Sequence, residues 1–273
     1  MKCCVIGHPI GHSLSPFIHG ELFKISGRDS SYITLDIAPE ELKEKIDFLK
    51  TFDCINVTIP HKSAIMEFTD VLDPTAKQIG AVNVIKNENG TLYGYNTDGY
   101  GFSKALEAEN IALKGKVLLL GYGGVALAMA HKSLQKGCSL TVGTNDLTSK
   151  RAIDFCESFK NEYHCDINME LIEKIDSDFD LIVNATPVGM YPKCDDCILE
   201  DYQIARAKAV YDAVYNPVDT TLIKKAAALK VKALSGMSML VWQAAKAHDI
   251  WYGGQFSTEQ INTICKKAEE KLK

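Results

Sequence analysis

The segment Asn56-Val57-Thr58-Ile59-Pro60-His61-Lys62 sets a threonine hydroxyl and a lysine ammonium just past a short β-branched run. Cys54 to Ile59 reads as a buried strand. Pro60 ends it, because proline has no N–H to give to a ladder. Thr58 and Lys62 then fall at a strand's carboxyl end, where ligands of open α/β sheets bind. A lysine held there can stabilise a developing oxyanion and supply a proton. A lone surface lysine would do neither, so the reading depends on its companions.

Several candidates stand elsewhere in the chain. Gly7 to Pro16 follows a first strand and opens a helix, and its Ser13 and Ser15 hydroxyls suit an acceptor-rich ligand such as a carboxylate. The plainer reading makes Ser15 an N-cap and leaves Ser13 exposed. Asn83 interrupts the apolar stretch Gly80 to Val84. Asp98, in Asn96-Thr97-Asp98-Gly99, is either a helix cap or a partner for Lys62. Gln243 lies in the apolar run Met239 to Ala245 and needs a partner in backbone or ligand if buried. Tyr215 adds one more hydroxyl after a strand ending near Val214.

A second constellation has its own spacing. Val117 to Leu120 is a continuous apolar strand running into Gly121-Tyr122-Gly123-Gly124-Val125-Ala126. Gly121-x-Gly123-x-x-Ala126 between strand and helix is the dinucleotide fingerprint in its alanine-ended form. Gly121 permits the tight turn, Gly123 admits a pyrophosphate to the backbone, and the helix N–H groups favour its charge. After the next strand come Asn145, Asp146 and Leu147. Asp146 can accept from ribose hydroxyls, which favours NAD, while Lys150 and Arg151 could accommodate a 2′-phosphate. Alternatively Asp146 only caps a helix.

The elements that must hold these groups alternate. Strands are expected at Lys2 to Gly7, Tyr32 to Ile37 and Cys54 to Ile59, with helices from Ser15-Pro16 and over Pro39 to Leu49. Ala81 to Lys86 and Leu92 to Asn96 flank Asn89-Gly90, a hairpin signal. Gly99 to Ala108 reads as a connecting helix. Beyond it, Lys116 to Leu120, Ser139 to Val142, Leu181 to Asn184 and Val210 to Val214 are strands. Helices follow the glycine turn to about Lys136 and span Thr220 to Leu229. Met239 to Ala247 predicts a buried helix, and Ser257 to Gln260 a capping box before the amphipathic Ile261, Ile264, Cys265, Ala268 and Leu272. The alternation predicts an α/β fold with mainly parallel sheets.

Composition bounds the partners. A chain of 273 residues with 46% hydrophobic and 24% charged residues has the profile of a globular enzyme of one or two domains. A net charge of −5 and a pI near 5.8 argue against a nucleic-acid surface. No apolar run reaches the length of a membrane span, and the first residues are unlike a signal peptide. Nine scattered cysteines fit reduced thiols and a cytoplasmic setting. Cys194 and Cys197 have metal spacing but no second pair, and flanking aspartates oppose thiolate formation, so no metal is expected. No oligomeric state can be read here; a homodimer is compatible with the chain.

Taken together, Ser13 to Pro16, Asn56 to Lys62, Gly80 to Asn83, Asn96 to Gly99 and Gly121 to Ala126 resemble the shikimate dehydrogenase family. Asn184 to Pro187, Asp212 to Pro217 and Gly236 to Gln243 extend the resemblance to nearly the whole chain. It implies two domains: a substrate domain of residues 1–98 with 237–273, and a Rossmann-type dinucleotide domain of 99–236. The last helices would return to the first domain. It also implies reversible reduction of 3-dehydroshikimate to shikimate in aromatic amino-acid and chorismate biosynthesis.

Residue by residue, the resemblance puts Ser13, Ser15, Thr58, Asn83 and Gln243 around the substrate, with Lys62 and Asp98 as the catalytic pair. Tyr215 and Gly236 would lie near nicotinamide and substrate. Gly121, Gly123, Gly124, Val125, Ala126, Asn145, Asp146, Lys150 and Thr186 would serve the cofactor, NADP in most of the family. The family's usual Asn-Arg-Thr is here Asn145-Asp146-Leu147, and Leu127 replaces an arginine often found in the glycine turn. The aspartate at the arginine's position makes NAD an expected cofactor beside NADP. A broader quinate/shikimate dehydrogenase and a non-catalytic dinucleotide sensor are the rival readings; the Lys62 and Asp98 pair speaks against the sensor.

Overall fold

The computed structural model describes residues 1–11, 13–165 and 167–272. The chain divides into two compact units. One comprises Met1–Gly101 and Val241–Ala268; the other comprises Phe102–Leu240 and the tail from Glu269.

The first unit is built on six strands: β1 (Lys2–Gly7), β2 (Ser31–Asp36), β3 (Cys54–Val57), β4 (Val71–Leu72), β5 (Val84–Glu88) and β6 (Thr91–Tyr95). They lie in the order β2-β1-β3-β5-β6-β4. The β1–β2, β1–β3 and β4–β6 pairings are parallel, and β3–β5 and β5–β6 are antiparallel. Asn89 and Gly90 both take positive φ, the backbone that a two-residue hairpin turn requires. Helices α1 (Ser15–Ser26), α2 (Leu42–Leu49) and α3 (Pro74–Ile79) belong to this unit.

Alternation along the strands assigns each face of this sheet. Cys4, Ile6, Ile55, Val57 and Ile85 meet Leu42 and Leu49 of α2. Cys3, Cys54 and Val84 instead meet Phe23 of α1 with Ala247 and Trp251. The last two belong to α9 (Met237–Tyr252), so the chain returns to its first sheet. Trp251 Nε1 fixes that return by donating to the Ile85 carbonyl at 3.1 Å. The following α10 (Thr258–Glu270) starts with the expected capping box: Gln260 N–H donates to Ser257 Oγ and Ser257 N–H to Gln260 Oε1.

The second unit carries β7 (Lys116–Leu120), β8 (Ser139–Thr144), β9 (Asn168–Leu171), β10 (Leu181–Asn184), β11 (Ala209–Asp212) and β12 (Lys232–Ser235). Their order is β12-β11-β10-β7-β8-β9 and every pairing is parallel. This is the doubly wound dinucleotide-binding order. Val117 and Leu119 pack on one face with Phe102 of α4 (Asp98–Ala108), Met129 of α5 (Gly124–Gln135) and Phe155 of α6 (Lys150–Tyr163). Leu118 and Leu120 pack on the other with Ile204 of α7 (Asp201–Ile204) and Leu222 of α8 (Thr221–Ala228). Burial on both faces is why the sequence there is continuously apolar rather than alternating.

Several expected boundaries shift; the strand expected over Val210 to Val214, for one, is Ala209–Asp212. The strand at Cys54 ends at Val57, and Ile59 is 70% exposed, because the chain leaves the ladder before the proline. The Ile59 carbonyl instead accepts from His8 N–H at 3.0 Å. Ala81 to Asn83 precede β5 rather than belonging to it. Ser15 does not cap α1: it is the first helical residue, after Leu14, and Ser13 Oγ accepts its N–H at 3.2 Å. β4, β9, β12, α3 and α7 are short or half-exposed and carry no clear signal in the sequence, whereas α6, absent from the expectations above, shows Ala152, Phe155, Cys156 and Phe159 at helical spacing.

Candidate active site

Lys62 and Asp98 form an ion pair at 2.6 Å, with side chains 14% and 1% exposed. Asp98 begins α4; its N–H donates to Asn96 Oδ1 at 3.0 Å, and its carboxylate receives Lys62. Asn83 Nδ2 lies 2.9 Å from the other Asp98 oxygen, 3.1 Å from Thr97 Oγ1 and 3.1 Å from Gln243 Oε1. Asn83 Oδ1 accepts Thr97 N–H at 2.8 Å, which fixes which end of the amide faces the carboxylate. Four residues far apart in sequence, Lys62, Asn83, Asp98 and Gln243, thus share one hydrogen-bonded cluster.

The backbone holds that cluster from several sides. Val57 N–H donates to the Asn83 carbonyl and Val82 N–H to the Lys62 carbonyl, at 2.9 and 2.7 Å. Thr58 N–H donates to the Ile6 carbonyl. Gly7 is required beside it, since a Cβ there would lie 2.6 Å from Thr58 Cγ2. The Tyr32 phenol on β2 approaches the cluster as well, its O–H donating to Asn56 Oδ1 at 2.6 Å. Asn56 Nδ2 in turn sits 3.4 Å from the Asn83 carbonyl. Tyr32 and Asn56 were not singled out as site residues. The signal was available at Asn56, a polar side chain within an apolar strand; Tyr32, on an edge strand, gave none.

In the second unit the glycine turn joins β7 to α5. Gly121 has φ +102°, and a Cβ there would meet Thr186 Cγ2 at 2.9 Å, so the turn and Thr186 are packed together. A Cβ on Gly123 would meet nothing within 4 Å. That open space lies beside the N–H groups of the first turn of α5, which have no partner within the helix and favour an anion. Gly124, Val125 and the buried Ala126 continue the helix. At the far edge of the sheet, Gly236 N–H donates to the Val214 carbonyl at 3.0 Å, and a Cβ on Gly236 would fall 2.2 Å from the Ala213 oxygen. Tyr215 follows, its phenol pKa raised by burial.

The segment after β8 is solvated and locally satisfied. Asp146 Oδ1 accepts Thr148 N–H at 2.8 Å and the Thr148 hydroxyl at 2.7 Å. These bonds hold its pKa below the ordinary carboxylate value. The carboxylate therefore organises a turn and does not cap α6, which begins after Ser149. Lys150 pairs with Asp154 at 3.0 Å, and the Arg151 guanidinium lies 5.7 Å from the Tyr122 ring centroid, over the glycine turn. Asn145 is exposed. Cys194 and Cys197 are free thiols, and the described residues hold no group of three His, Cys, Asp or Glu side chains suited to a metal ion. None of the described helices is long and apolar enough to cross a membrane.

Comparison with known proteins covers almost the whole chain. The model of the shikimate dehydrogenase substrate binding domain matches residues 5–85. The shikimate dehydrogenase (NADP(+)) of Methanocaldococcus jannaschii is 39% identical, covering 96% of this chain and 95% of that protein. The Thermus thermophilus shikimate 5-dehydrogenase, solved with NADP(H) and shikimate, superposes with a TM-score of 0.89 at 33% identity, covering 98% and 99% of the two chains. The Listeria monocytogenes shikimate 5-dehydrogenase, solved with shikimate and NAD, gives a TM-score of 0.87 at 30% identity, covering 96% and 95%. With likeness at this level over almost its entire length, the chain belongs to the shikimate dehydrogenase family.

Proposed function

We propose that this protein catalyses the reversible reduction of 3-dehydroshikimate to shikimate with NADPH, through a Lys62 and Asp98 pair. The observation that carries the reading is the 2.6 Å contact between these two groups, inside a cluster shared with Asn83 and Gln243. When bound, the reduced nicotinamide supplies hydride to the carbonyl carbon. The Lys62 ammonium stabilises the charge that develops on the carbonyl oxygen and passes it a proton; the oxidation runs in reverse. Asp98 balances and orients the ammonium, and Asn83 holds the carboxylate in turn. Preorganised charge of this kind lowers a barrier by about 3–4 kcal/mol in comparable sites.

Ser13 and Ser15 are read as donors to the substrate carboxylate, with Thr58, Asn83 and Gln243 on its hydroxyls. Gly121 to Ala126 are read as the pyrophosphate cradle, with Thr186, Tyr215 and Gly236 toward the nicotinamide. Asn145, Asp146 and Lys150 would face the adenosine ribose. There the exposed carboxylate of Asp146 favours a free 2′-hydroxyl over a 2′-phosphate, so NAD is used alongside NADP. Nine free thiols support a reducing, cytoplasmic setting.

Initial rates with shikimate against NADP and NAD separately, and with quinate in place of shikimate, test the proposal. Shikimate oxidation with at least one cofactor is expected. A folded, dinucleotide-binding protein that oxidises neither substrate would overturn it in favour of a sensor.

A further inference from the structure

Strands β10 and β11 end side by side at Asn184 and Asp212, each buried to within 1%. One Asp212 oxygen accepts Asn184 Nδ2 at 2.9 Å and Val214 N–H at 3.1 Å; the other accepts the Thr220 hydroxyl at 2.7 Å. A carboxylate removed from water is tolerated only where donors replace the lost hydration, and here three converge on it. Burial pushes its pKa above the ordinary value, and the Thr220, Val214 and Asn184 donors act against that shift.

What the three donors have in common is the segments they belong to. Asn184 Oδ1 accepts both the N–H and the hydroxyl of Thr186, at 3.1 and 2.6 Å, and Thr186 packs on Gly121. Val214 immediately precedes Tyr215, and its carbonyl receives Gly236 N–H. Thr220 caps α8 by accepting Ile223 N–H at 3.2 Å. Thr186, Tyr215 and Gly236 are therefore each tied, within a few bonds, to a single carboxylate that faces no solvent.

We infer that Asp212 is a positioning residue that sets the nicotinamide end of the cofactor site by locking the Asn184–Thr186 turn to the Val214–Tyr215 segment. The inference rests on the functional reading above and adds a role for a residue that touches no ligand itself. An amide at this position could keep the two N–H donors on its oxygen, but its NH₂ would face Thr220, leaving that hydroxyl's proton without its acceptor. The loss falls on the geometry of the strand ends, whereas the Asp146 region, beyond β8 on the other side of the same sheet, is untouched.

Asp212→Asn is therefore expected to weaken NADP about tenfold by calorimetry, the scale of one hydrogen bond to a charged group. It should also lower kcat for shikimate. Binding of adenosine 2′,5′-bisphosphate, which lacks the nicotinamide half, should stay within about twofold of native, since no Asp212 partner lies in that region. Thr220→Val should move NADP in the same direction by less, and Thr220→Ser should restore native behaviour; these decide the matter if Asp212→Asn does not fold. Native NADP affinity and kcat in folded variants would overturn the inference, and so would equal weakening of dinucleotide and fragment, which marks general loosening. If the native protein lacked shikimate turnover, the functional reading would fall, while the difference between dinucleotide and fragment would still decide the role of Asp212.

Discussion

Two charged regions of the molecule solve opposite problems. Around Lys62 the ion pair is withdrawn from solvent and held by amides whose orientation is itself fixed. After β8, Asp146, Lys150 and Arg151 are exposed, and each is occupied by a neighbour a short way along the chain or across the glycine turn. Electrostatic interactions gain strength as water is excluded and weaken where it screens. The first region is thus suited to a chemical step that needs one geometry. The second suits a choice between similar ligands that differ by one phosphate.

If that contrast is right, the interior pair should be by far the more sensitive. Lys62→Ala should lower kcat for shikimate roughly 10²–10⁴-fold with a much smaller change in KM, because the lost interaction forms mainly in the transition state. A folded Lys62→Ala enzyme with near-native kcat would mean that the pair is structural.

A second way to sharpen the contrast uses the interior of the first unit alone. His19 Nδ1 lies 2.9 Å from His248 Nε2, and both rings are buried. Burial pushes the His248 pKa down from 6.5 to about 3, with the Arg28 cation acting in the same direction. Burial, then His248, likewise lowers that of His19 well below its ordinary value. Both imidazoles are neutral when folded, so the unfolded chain takes up protons first as pH falls. The stability they confer is complete above about pH 6.5 and drains away below it, by about 1.4 kcal/mol per pH unit per group. Urea midpoints measured at pH 7.5 and 5.5 should fall accordingly, and His248→Gln should reduce the slope. A native midpoint independent of pH over that interval would contradict neutral burial.

The smallest effect belongs to the exposed edge. Asp146→Ala should move the ratio of kcat/KM values toward NADP by severalfold and leave kcat with shikimate close to native, since exposed ion interactions are weak. It should also lose little stability. A change of several hundredfold would show that this carboxylate meets the cofactor in a much less solvated setting than its exposure indicates.

Much of this was legible because it is local. Asn89-Gly90 announces its hairpin through the positive φ both residues must adopt, and Gly121 marks the glycine turn by a positive φ of its own. The apolar runs of β7 and β10 read as strands because both of their faces are covered. Edge strands such as β9 and β12 were not legible, since half-exposed strands carry a diluted pattern. The candidate site was partly legible. Lys62, Asn83, Asp98 and Gln243 could be named, but nothing in their spacing said that the Asn83 amide would touch Thr97, Asp98 and Gln243 at once.

The sequence by itself determined the types of the strongly patterned elements, the two glycine-dependent turns, the capping box at Ser257 and the chemical identities available to a site. Those follow from backbone sterics and from periodicity, which act over a few residues. Only the tertiary structure decided how the groups are used. It brought Lys62 and Asn83 onto the Asp98 carboxylate and Gln243 onto Asn83, and it gathered Asn184 and Thr220 onto Asp212. Each outcome depends on which competing donor or acceptor comes nearest once distant segments pack. That competition is settled by three-dimensional distance and desolvation, neither of which is written in residue spacing.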